Sequence, residues 1–213
     1  FNKLHVVGLP EGTLTLKAVV TDAAGNTQDV VNNSIKYDRT LDSGSALAFD
    51  LGANAVINST EDDNNVVYTL TGIDADVVAD SDASVTATLV GESGSPITAT
   101  VDKAAGTLTF AHAQVRGLPE GNLTLNAVVT DAAGNTKSVE NTSIKYDKTI
   151  DAGSALAFNL GDNAVINSTE DNSNVVYTLN GIDADVVADS DATVTATLVG
   201  GGKTITATVN KAA

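Results

Sequence analysis

Residues 13–27 read Thr13-Leu14-Thr15-Leu16-Lys17-Ala18-Val19-Val20-Thr21-Asp22-Ala23-Ala24-Gly25-Asn26-Thr27. Leu14, Leu16, Ala18 and Val20 fall at every second position. Successive side chains of a strand point to opposite faces, so this spacing puts all four on one face of a β-strand. Asp22, Gly25 and Asn26 follow at once, and Asp, Gly and Asn are the residues that close tight turns. The stretch therefore predicts a half-buried strand that runs into a turn.

The same stretch returns further along the chain. Thr21-Asp22-Ala23-Ala24-Gly25-Asn26-Thr27 reappears as Thr130-Asp131-Ala132-Ala133-Gly134-Asn135-Thr136, an offset of 109 residues. Gly8-Leu9-Pro10-Glu11-Gly12 reappears as Gly117-Leu118-Pro119-Glu120-Gly121, and Ile35-Lys36-Tyr37-Asp38 as Ile144-Lys145-Tyr146-Asp147. Between 8–91 and 117–200, 15 of 84 positions differ. Self-similarity at this level marks a tandem array. Phe1 aligns with Phe110 and Ala213 with Ala105, so the chain samples almost two periods and starts inside a unit. That phase, with no opening methionine or signal segment, suggests a piece of a longer array.

Alternation recurs at Leu47/Phe49/Leu51, Val66-Val67-Tyr68-Thr69-Leu70, Val85-Thr86-Ala87-Thr88-Leu89, Ile97-Thr98-Ala99-Thr100-Val101 and Thr107-Leu108-Thr109-Phe110. No window shows a persuasive helical period. About seven strands in roughly 100 residues is the pattern of an all-β immunoglobulin-like sandwich. The expected strands are A 45–51, B 66–71, C 84–90, D 97–102, E 107–111, F 122–130 and G 138–146. With a linker at 37–44, residues 39–147 are read as one complete repeat, 1–38 as strands F and G of the preceding one, and 148–213 as strands A–D of the next. Half-domains leave an apolar face and strand edges uncovered. Neighbouring repeats, or copies of the chain arranged head to tail, are the expected partners. The alternative boundary lies near Ala105-Gly106.

Composition narrows the function. There is no Cys, Met or Trp, and aromatics are 4% of residues. Disulfides and thiolate chemistry are excluded, and the core falls to Val, Ile, Leu, Ala and a few Phe and Tyr. A net charge of −16 argues against nucleic acid and anionic membrane surfaces, and no apolar run is long enough to cross a bilayer.

The acid is localised. Residues 38–102 hold 12 Asp and Glu against one Arg, whereas 103–146 hold 3 acids and 4 bases. Strands running alternately up and down send the B–C loop (Asp74, Asp76, Asp80, Asp82), the F–G loop (Asp131, Asn135) and the linker (Asp38, Asp42) to one end of the repeat. The A–B loop, Ile57-Asn58-Ser59-Thr60-Glu61-Asp62-Asp63, faces the following junction near Asp147 and Asp151. Any single one of these residues is explained by its turn. Converging carboxylates repel unless a cation sits between them, and an oxygen-only set suits calcium. EF-hand spacing is absent.

The Thr-Asp-Ala-Ala-Gly-Asn-Thr turn, Ala55-Val56-Ile57-Asn58 followed by Glu61, and the Asp-rich linker together resemble the bacterial Ig-like repeats of giant cell-surface adhesins. These include biofilm-associated and RTX-type adhesins. The resemblance spans the chain. It implies an extracellular extender or spacer region, with calcium at the junctions between repeats supporting adhesion or biofilm formation. Carried over, the junction ligands are Asp38, Asp42, Asp131 and Asn135, with Asp74 or Asp76. The next junction has Asp147, Asp151 and Asp183 or Asp185. Asp22 and Asn26 would serve an upstream junction, and Glu61 and its copy Glu170 the A–B loops.

No catalytic constellation emerges. His5 and His112 are not repeated and have no paired nucleophile. Gly200-Gly201-Gly202-Lys203-Thr204 lacks the first glycine of a phosphate loop, and the loop-end carboxylates have no aromatic sugar platform. The chain is read as a non-enzyme. The alternatives are a repeat of an extracellular filament or surface layer, and a carbohydrate-binding module. The latter needs exposed aromatics, whereas Tyr37, Tyr68, Tyr146 and Tyr177 are all expected in strands.

Overall fold

The computed structural model describes residues 1–41, 46–150, 156–161, 164–169 and 172–211. It forms two compact units, Phe1–Lys148 and Thr149–Ala213. The strands of the first unit are β1 (Gly12–Thr21), β2 (Thr27–Tyr37), β3 (Ala48–Asp50), β4 (Val56–Ile57), β5 (Val66–Thr71), β6 (Ser84–Gly91), β7 (Ile97–Thr98), β8 (Thr100–Asp102), β9 (Thr107–Phe110), β10 (Gly121–Thr130) and β11 (Thr136–Tyr146). Three one-turn helices join them: α1 (Lys3–Val6), α2 (Ala75–Ala79) and α3 (His112–Val115). Strands β1 and β2 form a hairpin of their own. The rest form two sheets, ordered β4-β11-β10-β6-β7 and β3-β5-β9-β8. This is an immunoglobulin-like β-sandwich.

The alternation decides which side chains fill the space between the sheets. Leu123, Leu125, Ala127 and Val129 of β10, Val85, Ala87 and Leu89 of β6, Val66, Tyr68 and Leu70 of β5, and Leu108 and Phe110 of β9 are all buried. Tyr68 and Phe110 meet edge to face with ring centroids 6.1 Å apart, a favoured aromatic geometry.

Several details differ from the sequence reading. The expected strand D is two strands. Thr98 pairs with Thr88 of β6, and Thr100 pairs with Thr109 of β9 in the other sheet. Ala99 N still donates to Ala87 O at 3.0 Å, so the chain changes sheets just after it. The expected A–B loop contains β4, which runs parallel to the end of β11 through Val56–Lys145 and Ile57–Tyr146 pairs. A two-residue strand is too short to show a period. The helices are likewise one turn each, below what a 3.6-residue pattern can reveal.

The second unit contains β12 (Ala157–Asn159), β13 (Thr178–Asn180), helix α4 (Ala184–Ala188), β14 (Thr197–Gly200) and β15 (Lys203–Thr206). Among the described residues, its strands form two-stranded sheets. Tyr177, expected within a strand, lies one residue before β13. Its counterpart Tyr68 is held in β5 by pairing with Leu108 of β9. A cleft of about 920 Å³ opens among Phe158, Leu179, Leu198 and Ile205. Leu16 and Val20 are 40% and 61% exposed, while Leu125 and Val129 at the same repeat positions are 0% exposed. Among the described residues, no helix is long and apolar enough to cross a membrane.

Candidate functional site

The turn between β10 and β11 is closed by its own Asp and Asn. Asp131 Oδ1 accepts from the Asn135 backbone N–H at 2.8 Å, and Asp131 Oδ2 accepts from Asn135 Nδ2 at 2.9 Å. The Asp131 N–H donates to Asn135 O at 3.0 Å, and Gly134 N–H to Asp131 O at 3.1 Å. Gly134 has φ of +90°, a conformation costly for any residue with a Cβ. The first hairpin repeats the arrangement. Asp22 Oδ1 accepts from the N–H groups of Ala24 (2.9 Å) and Asn26 (2.8 Å), Oδ2 accepts from Asn26 Nδ2 (2.7 Å), and Gly25 also has φ of +90°.

These bonds tune both acids. The Asn26 side chain, then its backbone N–H, hold the Asp22 carboxyl below its ordinary value of 3.8. At Asp131 desolvation pushes upward. The donors from the Asn135 side chain and the N–H groups of Asn135, Ala133 and Gly134 outweigh it, and the net shift is downward.

One bond reaches beyond the turn. Asn135 Nδ2 also donates to Asp38 Oδ1 at 2.9 Å, across 97 positions of sequence. Asp38 follows the last residue of β2 and lies in the stretch expected to be the linker. The structure thus brings together Asp38, Asp131 and Asn135, three of the residues singled out from the sequence.

The others have local roles. Asp74 caps α2, accepting from Asp76 N–H at 2.8 Å, and Asp76 O accepts from Asp80 N–H at 3.0 Å. Asp183 O accepts from Val187 N–H at 3.1 Å. Glu61 Oε2 accepts from Asn58 N–H at 3.0 Å, while Asn58 Oδ1 accepts from Thr60 and Glu61 N–H at 2.8 and 3.1 Å, a reciprocal capping box. Asp147 N–H donates to Ile57 O at 2.9 Å, which sets it beside the A–B loop as expected, and its Oδ2 pairs with Lys145 Nζ at 3.0 Å. Asp42, Asp151, Glu170 and the side chain of Asp185 lie outside the described residues. Among the described residues, no group of three or more His, Cys, Asp or Glu is arranged to hold a metal.

Sequence reading missed three features. Lys103 Nζ donates to the carbonyls of Val77, Asp80 and Ala83 at 3.2, 2.6 and 2.9 Å, so an ammonium sits among the acids of the B–C loop. Lys211 repeats this on Asp189 O and Ala192 O at 2.5 and 2.6 Å. Their signal is a basic residue kept at the same repeat position. Asp62 is buried and accepts from the Tyr146 hydroxyl at 2.6 Å, with Arg116 Nε 3.5 Å away. Arg116 also pairs with Asp63. Glu11 and Glu120, in the unchanged Gly-Leu-Pro-Glu-Gly motif, bond the chain leaving each hairpin. Tyr68 and Tyr146 are buried in the core and offer no stacking surface.

A sandwich of this topology defines an immunoglobulin-like domain. The chain belongs to the bacterial Ig-like domain family, whose pattern matches residues 8–39 and 43–148. No curated protein matches the sequence. Among solved structures, it is similar to a calcium-stabilised adhesin that helps an Antarctic bacterium bind ice, at 23% identity, 75% of this chain, 36% of that one and a TM-score of 0.38. It is also similar to a bacterial immunoglobulin-like domain from the M. primoryensis ice-binding adhesin, at 23% identity, 50% of this chain, all of that one and a TM-score of 0.33. A third is a tetra-tandem repeat in the extending region of a large adhesion protein, at 24% identity, 70% and 38% coverage and a TM-score of 0.31. The chain spans 36% of the length of the first of these.

Proposed function

We propose that this chain is a run of extender repeats from a bacterial cell-surface adhesin, stiffened by calcium where one repeat meets the next. The run comprises the C-terminal part of one repeat (1–38), a complete repeat (39–147) and the N-terminal part of the next (148–213). The role is structural rather than catalytic, the location extracellular, and the partners are neighbouring repeats. In the whole protein such an array would hold a binding tip away from the cell and support adhesion or biofilm formation.

The observation that carries this reading is the bond from Asn135 to Asp38. It ties the residue that leaves one hairpin to the turn at the end of the following sandwich. The donors there fit a hard cation in kind: two carboxylates and a side-chain amide, with no nitrogen or sulfur ligand. Asn135 holds both acids through Nδ2, and a half-turn of its amide would present Oδ1 to a cation instead. The rest of a six- to eight-oxygen shell would come from Asp42, water and backbone carbonyls. Asp74 and Asp76, and at the next junction Asp147, Asp151 and Asp183 or Asp185, are further candidates.

Melting curves in millimolar calcium and in chelator test this. A ligand that binds only the folded state at 100 times its dissociation constant adds about 2.7 kcal/mol. The melting temperature is therefore expected to rise with calcium. Superimposable curves would contradict the proposal.

A further inference from the structure

The short segment after β2 is gripped from both sides. Asp38 reaches forward to Asn135. The next two residues reach back to Glu11. Arg39 N–H donates to Glu11 Oε1 at 2.8 Å, and Thr40 Oγ1 lies 3.1 Å from Oε1 and 3.0 Å from Oε2. Arg39 Nη1 also donates to Val7 O at 3.3 Å. The second copy repeats the backward grip, with Lys148 N–H donating to Glu120 Oε1 at 3.0 Å. Arg39 and Lys148 differ in side chain, but the contact uses the backbone N–H.

The position of these glutamates follows from the motif around them. Gly12 pairs with Tyr37, and Gly121 with Tyr146, at the last rung of each hairpin. The residue before each glycine therefore lies just beyond the ladder, level with the departing chain. Gly12 and Gly121 have φ of +125° and +121°, which residues with a Cβ avoid. On the other side of Glu120, Leu118 is buried, and Pro119 packs so closely on Gly91 that a side chain there would meet its ring. Glu120 thus stands between a fixed Leu-Pro and a fixed Gly. Little backbone freedom remains to be lost when its carboxylate takes up the chain.

We propose that Glu11 and Glu120 are positioning residues that fix the direction in which the chain leaves each repeat, a clasp that works without metal. The inference rests on the extender reading above, and it divides junction stiffness into a calcium part and a hydrogen-bonded part. A hydrogen bond to a carboxylate is among the stronger kinds available to an exposed loop.

Because the chain has no cysteine, Ser34→Cys and Ser138→Cys place two spin labels at exposed sites, one on the β1–β2 hairpin and one on the sandwich. Their distance distribution is measured in the full chain, in chelator, by pulsed electron spin resonance. The wild type is expected to give a narrow distribution, and Glu11→Ala to lose it. Glu11→Gln keeps an acceptor oxygen and should retain it, while Thr40→Val should broaden it with Glu11 intact. A wild type already broad in chelator, an Ala variant as narrow as wild type, or a Gln variant as broad as Ala would overturn the clasp. Adding calcium to the wild type reads the other proposal separately. Failure to narrow further there would count against calcium and leave the clasp standing.

Discussion

Asn135 places one amide nitrogen 2.9 Å from Asp131 Oδ2 and 2.9 Å from Asp38 Oδ1, so a single side chain links the turn of the sandwich to the end of the preceding hairpin. The donors from Asn135 and the turn favour the charged form of Asp131. Asp131 titrates below its ordinary value of 3.8 in the folded chain, so its stabilising contribution is present above that value and is lost as pH falls through the lowered one. Asp131→Asn removes the charge while keeping an acceptor. Thermal melts should show the variant less stable than wild type at neutral pH, with the gap closing as the pH is taken well below 3.8. A gap that stays constant across that range would mean the charge is irrelevant.

Tyr146 and Asp62 pair inside the sandwich, with the tyrosine fully buried and the carboxylate nearly so. Desolvation, then the hydrogen bond and charge of Asp62, push the phenol well above its ordinary value, so it stays protonated and donates at any physiological pH. Tyr146→Phe leaves Asp62 with Arg116 alone and should cost about 1–3 kcal/mol in denaturant unfolding. Unchanged stability would show that Arg116 and solvent satisfy Asp62 without the hydroxyl.

Leu16 and Leu125 provide a comparison within one chain. They occupy the same place in the repeat, yet one is 40% exposed and the other fully buried. Leu125→Ala should cost about 2–5 kcal/mol, as buried leucines do. Leu16→Ala should stay within about 0.5 kcal/mol, as surface substitutions do. Equal costs would mean that the β1–β2 hairpin buries its apolar face in solution.

Much of the sandwich was legible because alternation and burial coincide. Leu123, Leu125, Ala127 and Val129 read as one face and form one face of the core. The strand break at Ala99 was not legible, because Ile97 to Val101 keeps its alternation while the hydrogen bonds change sheets. Strand β4 escaped because two residues carry no period. Tyr177 lies just before β13 although it alternates as Tyr68 does, because alternation alone does not reveal the cross-strand pairing that holds Tyr68 in β5. At the candidate site, Asp38, Asp131 and Asn135 were found by following which loops return to the same end. Acid content does not show the local bonds these residues make: Asp74 caps α2, Glu61 caps its own loop, and Lys103 takes the B–C loop carbonyls. Glu11 and Glu120 were visible only as an unchanged motif, since their function depends on the register that sets them beside the departing chain.

Small-angle scattering of the full chain, in millimolar calcium and in chelator, tests the central claim most directly. The extender reading predicts a longer, more rigid particle with calcium, and the loss of that difference in Asp131→Asn or Asp42→Asn while circular dichroism keeps its β signal. Identical scattering in both conditions would contradict calcium stiffening, and collapse of the β signal in the variants would make these residues part of the domain's own stability instead.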